Sequence, residues 1–194
     1  MIHIVSGMPR SGTSAMMAAL IAGGMTAAYS EHRDQMAQVH ADEHYHPNKS
    51  GLYEVPLREY GGIDFPLNYQ DKLIKVMLWG LDSLAVNPDG YRVVIMRRDP
   101  EEIRQSYEAF FGQPLRHPWM SEYDKRIERA ANMLANRDDV HHAMTVNYSD
   151  LVSYPENEFN WLKRDGWPIL PGHAAATIDP TQYRFRKELL TAGI

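Results

Sequence analysis

Ser6-Gly7-Met8-Pro9-Arg10-Ser11-Gly12-Thr13-Ser14 follows a short apolar run, Ile2 to Val5, and precedes an apolar helical pattern, Ala15 to Ala22. A strand that turns through glycines into a helix is an anion-binding device, because the free N–H groups of the first helical turn and the positive dipole end point at one spot. A phosphate is expected there. Gly7, four residues, Gly12, then Thr13 and Ser14 repeat the P-loop pattern G-x-x-x-x-G-K-[ST] with threonine in place of the lysine. That lysine normally reaches the β- and γ-phosphates of a nucleoside triphosphate, so its loss disfavours an ordinary ATPase or GTPase. The cation stands inside the loop instead, at Arg10. A glycine-serine turn that holds no ligand is the competing reading.

Outward from this loop, strands alternate with helices. Ile2 to Val5 reads as a buried central strand and Gly12 to Ile21 as a helix stopped by Gly23-Gly24. Residues 30 to 51 are polar, with a short helix over Asp34 to Val39. Lys72 to Met77 is the second strand, Leu78 to Val86 a helix, and Asn87-Pro88-Asp89-Gly90 a turn. Tyr91 to Met96 is the clearest strand. It runs into a helix over Pro100 to Phe111, with Asp99 as N-cap and Glu102 at N3 of a capping box, ended by Gly112. A helix over Ser121 to Asn136 takes Ser121 as its cap. His141 to Asn147 is the fourth strand, Asp150 caps a short turn, and Glu156 to Arg164 is a helix with Phe159, Trp161 and Leu162 in the core. The tail, Thr177 to Leu190, reads as a turn followed by helix. This alternation predicts an α/β fold, a P-loop-like parallel sheet flanked by helices, in a single domain over residues 1 to 194.

Composition sets the bounds. The chain has 194 residues, enough to bury one core, and 44% of them are hydrophobic. No run of eighteen apolar residues occurs, so no membrane insertion is expected. The amino terminus enters the first strand directly, without the pattern of a signal peptide. The absence of cysteine excludes disulfides and thiolate metal sites and suits a reducing, cytoplasmic setting. A net charge of −5 argues against general nucleic-acid binding, so any anion site must be built locally. His32, His40, His44 and His46 read as solvated loop histidines rather than metal ligands, since Pro47 disfavours helix at His46.

Two further cations stand out. Lys75 interrupts the second strand; it is either an edge-strand charge facing water or a cation aimed into a site. Arg98 lies at the carboxyl end of a central strand, where open α/β sheets bind ligands. Ser106, eight residues on and about two helical turns away, is placed to share a phosphate with it.

These pieces together carry a resemblance. Gly7-Met8-Pro9-Arg10-Ser11-Gly12-Thr13-Ser14 resembles the 5′-phosphosulfate loop of sulfotransferases that use 3′-phosphoadenosine 5′-phosphosulfate (PAPS). Val93-Val94-Ile95-Met96-Arg97-Arg98-Asp99-Pro100, then Ser106-Tyr107, is similar to the 3′-phosphate motif of the same family, and Val146 to Val152 to its Tyr-Glu-Asp-Leu segment, with Ser149 replacing the acid. Asn48 to Glu54 and Asp179 to Arg184 resemble segments of a bacterial sulfotransferase-like subgroup.

The resemblance implies a metal-independent transfer of a sulfuryl group from PAPS to a hydroxyl or amine of a small-molecule or glycan acceptor. It places Arg10, Ser11, Gly12, Thr13 and Ser14 at the 5′ end, Arg98 and Ser106 on the ribose 3′-phosphate, and Tyr148 on the adenine. Arg184, with Arg186 beside it, is the candidate cation over the 3′-phosphate in place of the family's absent Arg-Lys-Gly loop; both otherwise read as solvated tail residues. Arg10 and Lys75 would stabilise charge developing on the leaving phosphate. Glu54 is the candidate base, with His44 and His46 as alternatives. The sequence departs from the family at Ala15, where a tryptophan often lies under the adenine, and in the Lys-Thr-His segment, of which only Lys75-Val76-Met77 remains. Rival readings are a P-loop small-molecule or nucleotide kinase with Asp99 on Mg²⁺, and a noncatalytic adenosine-bisphosphate-binding protein.

Overall fold

The computed structural model describes residues 1–29, 35, 53, 55, 61–62, 64–115, 118–183 and 185. Its centre is a four-stranded parallel sheet in the order β2-β1-β3-β4. The strands are β1 Ile2–Gly7, β2 Leu73–Met77, β3 Tyr91–Arg97 and β4 Val140–Asn147. Every residue of β1 and β2 is buried, the polar His3, Ser6 and Lys75 included, as in strands covered on both faces.

The two-residue period of the strands still sorts side chains between two cores. Ile2, Ile4, Ile74, Val76, Val93 and Ile95 face one layer, which packs against Ile103 of the helix Pro100–Phe111 and Ile127 and Leu134 of the helix Tyr123–Ala135. Val5, Leu73, Val94, Met96 and Val146 face the other, closed by the helices Thr13–Ala22, Tyr148–Ser153, Pro155–Arg164 and Pro171–Ala175. The expected α/β architecture, a parallel sheet with helices on both faces, is therefore what the chain forms. Among the described residues no helix is long and apolar enough to cross a membrane.

Local departures have physical reasons. Leu78–Ser83 is a 3-10 helix rather than an α-helix to Val86, and Leu78, Leu81 and Leu84 are all buried; their spacing of three suits a helix of three residues per turn. The segment Pro118–Glu122 is also 3-10, so the following helix begins at Tyr123 and Ser121 is not its cap. Tyr148–Ser153 is a helix rather than a turn, with Asn147 at the N-cap and Asp150 accepting a hydrogen bond from Asn147 Nδ2 at 2.8 Å. In the helix Pro155–Arg164, Phe159 and Leu162 are buried as expected, but Trp161 is 51% exposed because it lies off that i, i+3 stripe. Trp167, just past the helix, fills the core instead. Two short helices, Phe65–Tyr69 and Pro171–Ala175, were not foreseen; each has proline in its first turn. Of the expected helix over Asp34 to Val39 only Gln35 is described, and the helical part of the tail beyond Phe185 lies outside the described residues.

Candidate functional site

The carboxyl ends of the four strands share one edge, with Gly7 beside Met77 and Met96, and Arg97 beside Asn147. The glycine loop starts there. Gly7 has φ 150°, and a Cβ on it would lie 2.5 Å from Ser11 Oγ and 2.9 Å from the Met96 carbonyl oxygen, so only glycine fits. Ser11 closes the turn, its hydroxyl donating to the Met8 carbonyl at 2.7 Å and its amide to the same oxygen at 3.2 Å. Gly12, at φ 100°, precedes the helix Thr13–Ala22; a Cβ there would meet the Tyr148 ring at 2.3 Å. The loop is thus shaped against β3 on one side and an aromatic ring on the other.

Arg10 carries a left-handed backbone, φ 69°, unusual for a residue with a side chain. Such a conformation costs about 1 to 3 kcal/mol and persists only when its surroundings fix it. Here Arg10 Nε donates to Ser106 Oγ at 3.1 Å, its guanidinium carbon sits 4.3 Å from the centroid of the Phe110 ring, and its carbonyl accepts from Arg98 Nη1 at 3.1 Å. The two motifs read separately in the sequence, the glycine loop and the Arg98–Ser106 pair, are therefore bonded to one another.

Arg98 is only 8% exposed and is enclosed. Its backbone N–H donates to the Tyr123 hydroxyl at 3.0 Å, and burial holds that phenol at about 12, well above the ordinary tyrosine range. Its Nε donates to Glu102 Oε2 at 3.0 Å. Its guanidinium carbon lies 4.8 and 5.2 Å from the centroids of the Tyr148 and Tyr183 rings, which sit together on one side of it. Asp99 caps the helix as expected, accepting from the Glu101 amide at 2.8 Å. Beyond the helix start, the Glu102 carboxylate lies between Arg98 and the Tyr183 hydroxyl, which donates to Oε1 at 2.9 Å and Oε2 at 2.8 Å. Burial, and then the bond to Glu102, push the Tyr183 phenol far up, so it stays a donor.

Lys75 lies on β2, at the edge of the described sheet, yet it is 4% exposed and its Nζ donates to Ser14 Oγ at 3.3 Å. Of its two readings, the cation aimed at the loop is the one its position matches. Ser11, Thr13, Ser14 and Ser106 are buried around the same edge. Glu54, His44, His46, Arg184 and Arg186 lie outside the described residues. Glu102, Phe110 and Tyr183 are contacts that the sequence reading missed. The i, i+4 spacing of Arg98 and Glu102 was the available signal, obscured by the capping role that the i, i+3 spacing of Asp99 and Glu102 offered.

A cleft of about 430 Å³ opens beside this cluster, lined by Arg97, Arg98, Glu102, Asn147, Ser149 and Tyr183 among others. It touches the Arg98 end of the cluster, while none of its lining comes from the loop Gly7 to Ser14. Arg97 and Asp124 form an ion pair at 2.7 Å, and both line it.

Comparison with known proteins places this geometry on a known fold. The chain superposes on the crystal structure of sulfotransferase STF1 from Mycobacterium tuberculosis H37Rv with a TM-score of 0.51. The match covers 98% of this chain and 75% of that one at 16% identity. The fold is sulfotransferase-like. No protein-family model matches the sequence. No curated relative matches it by sequence either. The likeness is therefore one of backbone architecture.

Proposed function

We propose that this chain is a PAPS-dependent sulfotransferase, active on a hydroxyl or amine of a small-molecule or glycan acceptor in the cytoplasm, with residues 1 to 194 acting as one domain. The observation that carries the reading is the bonded cluster of Arg10, Ser106 and Arg98, which joins a lysine-free phosphate loop to a strand-end arginine. The chemistry of the residues fits an anionic donor: Arg10 in the loop, Lys75 of β2 bonded to Ser14, and Arg98 after β3 bring three cations to one edge of the sheet. The sulfotransferase-like fold supports the same reading.

PAPS, when bound, supplies an activated sulfuryl group on a phosphate leaving group. In this reading the Gly12 to Ser14 amides, Arg10 and Lys75 bind the 5′ end and stabilise negative charge as it gathers on the bridging oxygen, by fixed donors that need no reorganisation. Arg98 and Ser106 hold the ribose 3′-phosphate, and Tyr148 lies against the adenine. Arg184 adds a second cation over the 3′-phosphate, and Glu54 takes the acceptor's proton. These two assignments rest on the sequence resemblance.

Thermal denaturation tests the donor site. At about a hundred times its dissociation constant, 3′-phosphoadenosine 5′-phosphate in the presence of EDTA should add roughly 2.7 kcal/mol of stability. Stronger, metal-dependent stabilisation by ATP would favour the kinase reading instead.

A further inference from the structure

Arginine offers five N–H donors in a planar fork, and Arg98 spends three on fixed partners. Nε is on Glu102 at 3.0 Å, Nη1 on the Arg10 carbonyl at 3.1 Å, and Nη2 on the Phe185 carbonyl at 3.4 Å. The last is at the outer limit of a hydrogen bond, whereas a phosphate oxygen would make a shorter, charge-assisted one. The guanidinium lies over the Tyr148 and Tyr183 rings, which are edge to face at 5.0 Å and so sit together on one side of it. The group is held through Nε, through one Nη1 bond and by the two rings on one side, and the remaining donors of the Nη edge are the part offered to a ligand.

Glu102 is the difficulty in this arrangement. A carboxylate that is 3% exposed and bonded to Arg98 Nε would, if it turned onto the Nη edge, exclude a phosphate from that edge. Tyr183 restrains it, its hydroxyl donating to both carboxylate oxygens. We propose that Glu102 and Tyr183 are positioning residues: Tyr183 keeps the Glu102 carboxylate on Arg98 Nε alone, and Glu102 in turn aims the Nη edge at the ribose 3′-phosphate. This rests on the donor-site reading above. It gives the short tail segment around Tyr183 a task at the far end of the nucleotide from the chemistry.

The test compares two ligands that differ only at the 3′ position, 3′-phosphoadenosine 5′-phosphosulfate and adenosine 5′-phosphosulfate, by calorimetry on the full chain. Tyr183→Phe should weaken the first about tenfold and leave the second unchanged, because the freed carboxylate competes only where Arg98 is used. Adding Glu102→Gln to Tyr183→Phe should recover most of that loss, since a neutral amide still accepts from Nε but does not hold the fork as a charged pair. An equal loss for both ligands would make Tyr183 a structural residue, and no loss, or no recovery in the double variant, would equally overturn the proposal. If neither ligand binds the natural protein, the donor-site reading falls and this inference with it. Binding of both ligands with an unaltered ratio in Tyr183→Phe removes the inference alone.

Discussion

The two ends of the sheet carry the same kinds of polar residue and treat them differently. At the carboxyl edge Arg98, Glu102, Ser106, Lys75 and Ser14 are all buried, and each has a bonded partner brought from a distant part of the chain. Toward the amino edge His3 of β1 lies beside Arg92 of β3, and Arg92 beside His142 of β4. There both ring nitrogens of His3, Nε of Arg92, Nδ1 of His142 and the indole N–H of Trp167 are buried without hydrogen-bond partners among the described residues. A matched buried network is rigid and specific, whereas an unmatched one only costs stability. The carboxyl end, Ser6 Oγ apart, has the features of a built receptor, and the unmatched end marks where the fold carries a liability.

Breaking the matched end should have the largest effect on stability. Arg98→Ala leaves the Glu102 carboxylate without its cation in a buried setting, which costs about 3 to 5 kcal/mol of unfolding free energy. Urea denaturation measures it; a loss under about 1 kcal/mol would mean that the pair is not coupled to the fold.

Acid should act on the other end. Burial, then the Arg92 cation and the N-terminal amine, depress His3 to about 4, against the weaker opposing pull of Asp71. The unfolded chain, with His3 near 6.5, binds the proton first. The stability contributed by neutral His3 is therefore present above about pH 6.5 and lost as pH falls toward 4, at up to about 1.4 kcal/mol per pH unit and of order 3 kcal/mol in all. His3→Leu should flatten that limb of a pH–stability curve. An unchanged acid limb would assign the loss to other groups.

A smaller effect is expected in the loop. Gly12→Ala places a methyl group against the Tyr148 ring at a strained φ, costing about 2 kcal/mol in thermal unfolding, and should displace the ring that flanks Arg98. The least costly change is Ser106→Ala, which removes one neutral donor and should reduce the affinity for 3′-phosphoadenosine 5′-phosphate by about 1 kcal/mol in a calorimetric titration.

The sequence was most legible where local chemistry is decisive. The glycine loop, the apolar strand that ends just before Arg98 and the Asp99-Pro100 helix start each declare themselves within a few residues, and together they give the sheet and the edge on which a site would form. What stayed hidden depends on tertiary neighbours. Nothing near Trp161 says that Trp167 would take the core position, and nothing near Lys75 decides whether a lysine on an edge strand faces water or the loop. Glu102 was legible as charged and near Arg98, but its role depends on Tyr183, eighty-one residues later. The Arg10–Ser106 bond likewise joins motifs whose proximity only the fold supplies.

The central claim is that the matched edge recognises a ribose 3′-phosphate together with a 5′-phosphate. Its most direct test is a calorimetric titration of the natural protein, in EDTA, with 3′-phosphoadenosine 5′-phosphate and with adenosine 5′-phosphate. Charge-assisted bonds from Arg98, with Ser106 beside it, should make the first ligand bind at least about thirtyfold more tightly, equivalent to roughly 2 kcal/mol. Equal affinities for the two ligands would contradict the claim, because Arg98 and Ser106 would then be part of the scaffold and not of the receptor.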